Sequence, residues 1–336
     1  MKTVKYFFLL LLAHIGYAHA QNNVAAIHLN TAPDPISTAM GSIGVASEPE
    51  ECAQFWNPSK LVFIPHHFSS SLSFAPSSFG KKMYLACQKQ IADNIAVGLG
   101  LNYYSIGSVD LKDEIGTYIG KQTPNEFGLD ISFSKKFGID FSMGATVRYI
   151  KSDIFDLANN GKLVSASAAA MDIGAFYKRF IGEDRLSFGA MISNIGTKVN
   201  YGGNVLKFLP LNFRIGANYS TGTFNQWIVG FEISKLLVGT NELGKEISPT
   251  TGITSAFTGR LKNYEIGIGT EYNIRSLLML RAGFNIQNRE SFFRKNGSIG
   301  LGFAKNNLRI NASYLVPIAQ KQFLDNKFKI SIGLAF

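Results

Sequence analysis

The sequence predicts an all-β fold, a transmembrane antiparallel barrel of about fourteen strands with an N-terminal hatch inside it. Three observations predict it: a signal for export, a period-two alternation of apolar and small or polar residues that recurs along the chain, and connections that alternate between short and long.

The chain starts with Lys2 and Lys5, an apolar run from Phe7 to Ala13, and the small-x-small triplet Ala18-His19-Ala20. That is the layout of a secretory signal peptide over residues 1–20, with the mature chain beginning near Gln21. No cysteine stands at the cut, which argues against an acylated lipoprotein. The formal net charge of +10 loses two lysines with the signal. The remaining basic residues are scattered, so no nucleic-acid arm is expected.

Hydrophobic residues make up 46% of the chain, yet after the signal no apolar stretch approaches the ~20 residues of a membrane helix. Ile95, Val97, Leu99, Leu101 and Tyr103 alternate instead with Ala96, Gly98, Gly100 and Asn102. Phe127 to Ser134, Leu186 to Ser193, Leu211 to Tyr219, Trp227 to Ser234, Tyr264 to Tyr272 and Phe328 to Phe336 repeat the pattern. Weaker segments near Phe68, Met83, Phe141, Met171, Leu278, Ile299 and Leu308 complete the set. In a soluble sandwich the apolar face would point inward and the other would carry many Lys and Glu. Here the second face is Gly, Ser, Asn and Ala, which suits a crowded lumen, while Leu, Ile and Phe face lipid.

Connections near Asp93, Lys136, Glu183, Gly222, Asn273 and Lys305 read as short turns. Those from Ser105 to Pro124, Ser152 to Leu163, Gly196 to Leu209, Lys235 to Asn263 and Gln287 to Asn296 read as long loops. Short periplasmic turns and long outer loops are the outer-membrane arrangement. Tyr103, Tyr149, Tyr264 and Tyr314 then fall at outer strand ends, and Tyr177, Tyr219, Trp227 and Tyr272 at inner ones, as two interfacial girdles.

Residues 21–65 carry no long alternating strand, but hold Pro33, Pro35, Met40, Gly41, Gly44 and the run Phe55-Trp56-Asn57-Pro58-Ser59-Lys60-Leu61. A free tail would be more polar, so this segment is read as a hatch within a barrel of residues 66–336. Fourteen strands enclose more space than side chains fill, so the lumen holds water, a plug or a ligand. Asp130, Arg148 and Asp172 on consecutive strands, Arg214 opposite Glu232, and Arg281 beside Glu265 and Glu271 read as lumenal ion pairs. The alternative is a charged transport path. Gly98, Gly100, Gly267, Gly269, Gly300 and Gly302 either admit the hatch or ease barrel curvature.

No nucleophile elbow, P-loop or H-E-x-x-H is present, so no enzyme activity, cofactor or metal is expected. His28, His66 and His67, which remain after the signal, lie in or beside the hatch, and His66-His67 read as interfacial polar residues over a metal site. A lipid-modifying enzyme with scattered catalytic residues stays open as a minor reading. Cys52 and Cys87 leave a single disulfide open.

The segment Ala39-Met40-Gly41-Ser42-Ile43-Gly44-Val45-Ala46 and the run from Phe55 to Leu61 resemble the amino-terminal hatch of the PorV family. These are barrels of the type IX secretion system within the broader FadL-like group. Ser234-Lys235-Leu236-Leu237-Val238, opening a long loop, is similar to a second PorV feature. The resemblance implies a non-catalytic component in a bilayer carrying lipopolysaccharide. It would bind the carboxy-terminal signal domain of cargo at the translocon barrel and deliver cargo to a surface sortase complex. The loop from Lys235 to Asn263 is the expected cargo contact. The competing reading is a FadL-like transporter of hydrophobic small molecules.

Overall fold

The computed structural model describes residues 24–76, 80–112, 117–156, 162–202, 206–240, 246–247, 263–289, 292–319 and 327–336. The signal-peptide assignment lies outside them, as does most of the loop from Lys235 to Asn263.

The wall begins with β1 (Phe68–Pro76), β2 (Lys81–Ala92) and β3 (Ile95–Ser105), followed by a loop hairpin of β4 (Val109–Lys112) and β5 (Tyr118–Gln122). It continues with β6 (Asn125–Phe137), β7 (Phe141–Asp156), β8 (Lys162–Ile181) and β9 (Asp184–Gly196). A second loop hairpin, β10 (Val199–Asn200) with β11 (Leu206–Lys207), precedes β12 (Asn212–Thr221) and β13 (Asn225–Leu236). After the small pair β14 (Gly239–Thr240) and β15 (Glu246–Ile247) come β16 (Tyr264–Ile274), β17 (Leu278–Arg289), β18 (Phe292–Lys305), β19 (Leu308–Ala319) and β20 (Phe328–Ala335). Setting aside the three loop pairs, the strands close into one antiparallel barrel of fourteen, with β1 hydrogen-bonded to β20. No described helix is long and apolar enough to cross a membrane.

Burial follows the alternation in the inverse sense to a soluble protein. Along β3 and β6 the buried positions are Ala96, Gly98, Gly100, Asn102, Asp130, Ser132 and Ser134, whereas Leu99, Ile131 and Phe133 are exposed. The same holds for Ile215, Phe231, Ile268, Leu301 and Ile332. Closure pairs the backbone groups strand to strand, so this greasy surface can sit in hydrocarbon. Tyr149, Tyr314, Tyr219, Trp227 and Tyr272 are exposed on that same outward side.

In two expected loops, Ser152 to Leu163 and Gln287 to Asn296, the described residues are strand. The β7–β8 ladder continues through Asp153↔Ser165 to Asp156↔Lys162, and the β17–β18 ladder to Arg289↔Phe292. Beyond the lipid headgroups the outward face needs no apolar residues, so the alternation of hydropathy fades while the hydrogen-bonded ladder runs on. Leu211, expected on a lipid-facing strand, lies just before β12 and is buried. Cys52 and Cys87 are both free. Cys52 is buried beside the inward Ser71 and Ser73, whereas Cys87 pairs in register with the lipid-facing Leu99, so the wall stands between them.

Candidate functional site in the lumen and at the outer mouth

Residues 24–64 contact inward-facing groups of the strands. Val24 bridges to Phe208 in an outer loop, and Phe63 packs on Phe176 near the inner turns. Between these ends the segment makes two short helices and two 3-10 turns, and one of each is capped by a side chain. Asp34 caps the helix Pro35–Ala39 by accepting from the Ser37 amide at 2.8 Å, and Pro35 supplies the preorganised first turn. Asn57 caps the 3-10 turn Pro58–Phe63, its Oδ1 accepting from the Ser59 amide at 3.2 Å. Its Nδ2 donates to Val45 O and to Ala175 O, both at 3.0 Å, so one fully buried amide ties two parts of the segment to β8. Trp56 Nε1 donates to Asp34 Oδ2 at 2.8 Å, tying the run from Phe55 to Leu61 to the cap of the helix Pro35–Ala39.

The wall glycines sit where this segment presses. A Cβ at Gly269 would collide with the Met40 backbone, at Gly267 with Gly41, at Gly98 and Gly100 with Gln54, and at Gly300 with Ala39. Gly302 differs, since it makes room for Arg281 and Asn311. Gly41 itself has φ +75, and a Cβ there would stand 2.5 Å from Ile268 O and 2.6 Å from Phe284 O. Gly44 gives way to the Trp56 ring, and Leu61 is buried against Val62 and Ala96. Close approach of the enclosed segment is therefore the physical reason for most of these glycines.

Inward arginines meet inward carboxylates, with Glu265 beside Arg289 at 3.7 Å and not beside Arg281. Arg148 holds Asp130 at 2.6 Å through Nε and Asp172 at 3.1 Å through Nη2, and donates to Asn194 Oδ1 at 2.5 Å. Asp172 lies at a register shift between β8 and β9, where Asn194 turns left-handed (φ 61) and donates its amide to Asp172 Oδ1 at 2.6 Å. Arg214 pairs with Glu232 at 3.1 Å and lies over the Trp56 ring at 4.9 Å. The second Glu232 oxygen accepts from the Gly44 and Val45 amides at 2.7 and 2.8 Å. Arg281 pairs with Glu271 at 2.6 Å, and Glu265 accepts from Asn285 Nδ2 at 2.8 Å.

Three lysines escaped the sequence reading. Lys82 Nζ donates to His28 O and Thr31 O at 2.8 and 2.7 Å, and Lys329 Nζ to Ala32 O and Thr38 Oγ1 at 2.6 and 2.8 Å. Lys60 Nζ donates to Gly44 O at 2.6 Å and Ser47 Oγ at 2.9 Å. Each replaces water around an ammonium with carbonyl and hydroxyl oxygens of the enclosed chain.

At the outer end His28 Nδ1 bonds Glu126 Oε2 and the ring stacks on Tyr104 at 5.5 Å. Glu126 Oε1 accepts from Ser152 Oγ at 2.7 Å, and Ser152 meets Tyr201 Oη at 2.9 Å. Burial pushes the Tyr201 phenol up to about 12, so it stays a neutral donor. A cavity of about 190 Å3 opens here, lined by Val24, Ala26, Tyr104, Ile106, Ile154 and Tyr201 among others. Leu236, Leu237 and Val238 are buried with Val24 and Leu211, and Lys235 is half-buried. They cover the mouth from within the loop that was expected to meet cargo. His66 and His67 lie just before β1 at the inner rim.

The family model of the type IX secretion system protein PorV matches residues 19–243, about two thirds of the chain. No curated protein matches the sequence. Among solved structures, the barrel is similar to the Ralstonia pickettii toluene transporter TbuX, at 13% identity, a TM-score of 0.56, and coverage of 93% of this chain and 100% of that one. The CymD monoaromatic hydrocarbon channel aligns at 12% identity with a TM-score of 0.59, covering 91% and 98% of the two chains. A Pseudomonas aeruginosa FadL homologue aligns at 12% and 0.51, covering 90% and 98%. At such identities the likeness speaks for the fold alone.

Proposed function

Because the chain belongs to the PorV family of type IX secretion system proteins, an outer-membrane component of that system, we propose that it binds the carboxy-terminal signal domain of cargo at the translocon and delivers the cargo to a surface sortase complex. The observation that carries the reading is family membership combined with an occupied lumen: the segment from Val24 to Ile64 is hydrogen-bonded to the wall along its length, as a hatch would be. Such a barrel serves as a docking platform, and the conducting pore belongs to a partner. The loop opened by Lys235 is retained as a cargo contact, with Leu236, Leu237 and Val238 as its buried anchor. No catalytic step is assigned to the chain.

The test uses the tagged full chain extracted from native outer membranes. Co-purification of a translocon barrel, a sortase subunit or cargo is the expected outcome, together with capture of an isolated cargo signal domain. Failure of wild-type protein to hold any of these overturns the reading. Replacing residues 241–262 with a short linker and finding secretion and surface attachment unchanged removes that loop from the interface.

A second reading, passage of hydrophobic small molecules, has the outer cavity and the FadL-like fold in its favour. It needs a lateral exit. The register shift at Asp172 is filled by Arg148 and Asn194, and a Cβ at the nearby Gly196 would meet Leu209 at 2.9 Å.

A further inference from the structure

β8 is longer than the strand beside it. It spans Lys162–Ile181, and its ladder to β9 begins only at Ala170↔Gly196. On its other side β7 remains paired up to Asp156↔Lys162. The stretch from Leu163 to Ala168 thus has one edge in the barrel sheet and, among the described residues, no strand on the other.

The direction of the unpaired groups is fixed by the neighbours. Ala169 O accepts from the Thr197 amide at 3.1 Å, so Ala169 points its backbone toward the β9 side. By the two-residue repeat of a strand, Ser167, Ser165 and Leu163 point theirs the same way. Among the described residues no backbone partner is found for these three, and all three are exposed. Lower on β8, Lys178 donates its amide to Asp140 O at 2.8 Å, which places the even residues toward β7 and agrees with the assignment.

What would have continued β9 turns inward instead. Val199 is buried against Ala166, Ala168 and Ala170 on the lumenal side, with Leu209 and Tyr201 in the same cluster. The edge is therefore backed by an apolar floor, and none of the described residues pairs with it alongside. Its height is given by Ala169↔Tyr149, since Tyr149 belongs to the outer aromatic girdle; the residues above it stand outside the hydrocarbon. Sequence protection is missing too: Leu163-Val164-Ser165-Ala166-Ser167-Ala168-Ala169 contains no proline and no charge, the usual means of blunting an edge. Small side chains at Ser165 and Ser167 leave room for those of a neighbouring strand.

We propose that the open edge of β8 at Leu163, Ser165 and Ser167 accepts an extended strand of the cargo signal domain by β-strand addition, a mode that draws affinity from main-chain hydrogen bonds. The proposal rests on the cargo-binding function above. An extended polypeptide is the occupant because a row of alternating N–H and C=O groups is matched by another backbone. A secreted protein is its source because the edge faces the cell exterior.

Proline separates the edge from the hairpin. Of the backbone groups, Ser165→Pro and Ser167→Pro remove only N–H groups that face the open side, which a strand edge tolerates. Ser165→Ala and Ser167→Ala remove the hydroxyls that meet Asp153 and Tyr149 but keep the N–H. Binding of an isolated cargo signal domain to the full-length barrel in detergent micelles is measured by calorimetry, with heat-modified migration on gels as the check of barrel folding. The double proline variant is expected to weaken binding about tenfold or more, from the loss of two backbone hydrogen bonds, while the double alanine variant binds as wild type. Wild-type binding with no loss in a folded double proline variant overturns the edge proposal and leaves the cargo reading standing. No binding by wild type overturns the cargo reading itself. If wild type self-associates by light scattering and the proline variants do not, a second copy of this chain is the occupant and the cargo-strand proposal is overturned.

Discussion

The two faces of one strand obey different rules. On the lipid side of β6, Phe127, Leu129, Ile131 and Phe133 meet only hydrocarbon, and any apolar residue of fitting shape satisfies that neighbour. On the lumenal side of the same strand, Asp130 answers to Arg148, Ser134 Oγ donates to Ser59 O at 2.9 Å, and Glu126 holds His28 and Ser152. The outward face is specified by class and the inward face by identity. The lesson for this barrel is that sensitivity to mutation should run with enclosure, in the sense opposite to hydrophobicity.

The strongest attempt to break that contrast is Arg148→Ala, which leaves Asp130 and Asp172 buried without their counter-charge. A loss of roughly 3–5 kcal/mol is expected, read as a shift in urea unfolding of the barrel in lipid vesicles. A change no larger than that of a lipid-facing substitution would remove the distinction. A sharper comparison uses two glycines in the same kind of ladder. Gly269→Val drives a branched side chain into the Met40 backbone and should cost roughly 1–3 kcal/mol. Gly297→Val meets only Ile318 Cδ1 at 3.7 Å and Val316 O at 4.0 Å, so it should be neutral or slightly stabilising in the same assay, as a β-former replacing a strand glycine. Smallest of all, Ile131→Val on the lipid face is expected to stay within about 0.5 kcal/mol.

The same contrast explains what was legible in the sequence. Strand number was readable because the outward face repeats a simple pattern that lipid enforces. Asp130, Arg148 and Asp172 were readable as well, since opposite charges at inward positions of consecutive strands have few other reasons to exist. Phe55 and Trp56 announced themselves as residues too apolar for a free tail, and Asn57 through the run that carries the family resemblance. Lys82, Lys329 and Lys60 did not: their partners are main-chain oxygens of a distant segment, and a backbone carbonyl leaves no mark in the order of residues. The outward run of β8 past Ala169 was hidden for a related reason, because its Ser and Ala residues lie above the membrane, where the pattern that betrays a strand is no longer imposed. Leu236, Leu237 and Val238 read as the opening of a cargo-contact loop, and only the three-dimensional arrangement buries them with Val24 and Leu211.

The path of the enclosed segment bears on the closure of the wall. From Val24 at the outer mouth to Phe63 at the inner rim, the chain occupies the bore before the first wall strand starts. Lys82 on β2 and Lys329 on β20 clasp it from strands flanking β1, so the β1–β20 seam and the segment are fastened to each other: opening the one strains the other.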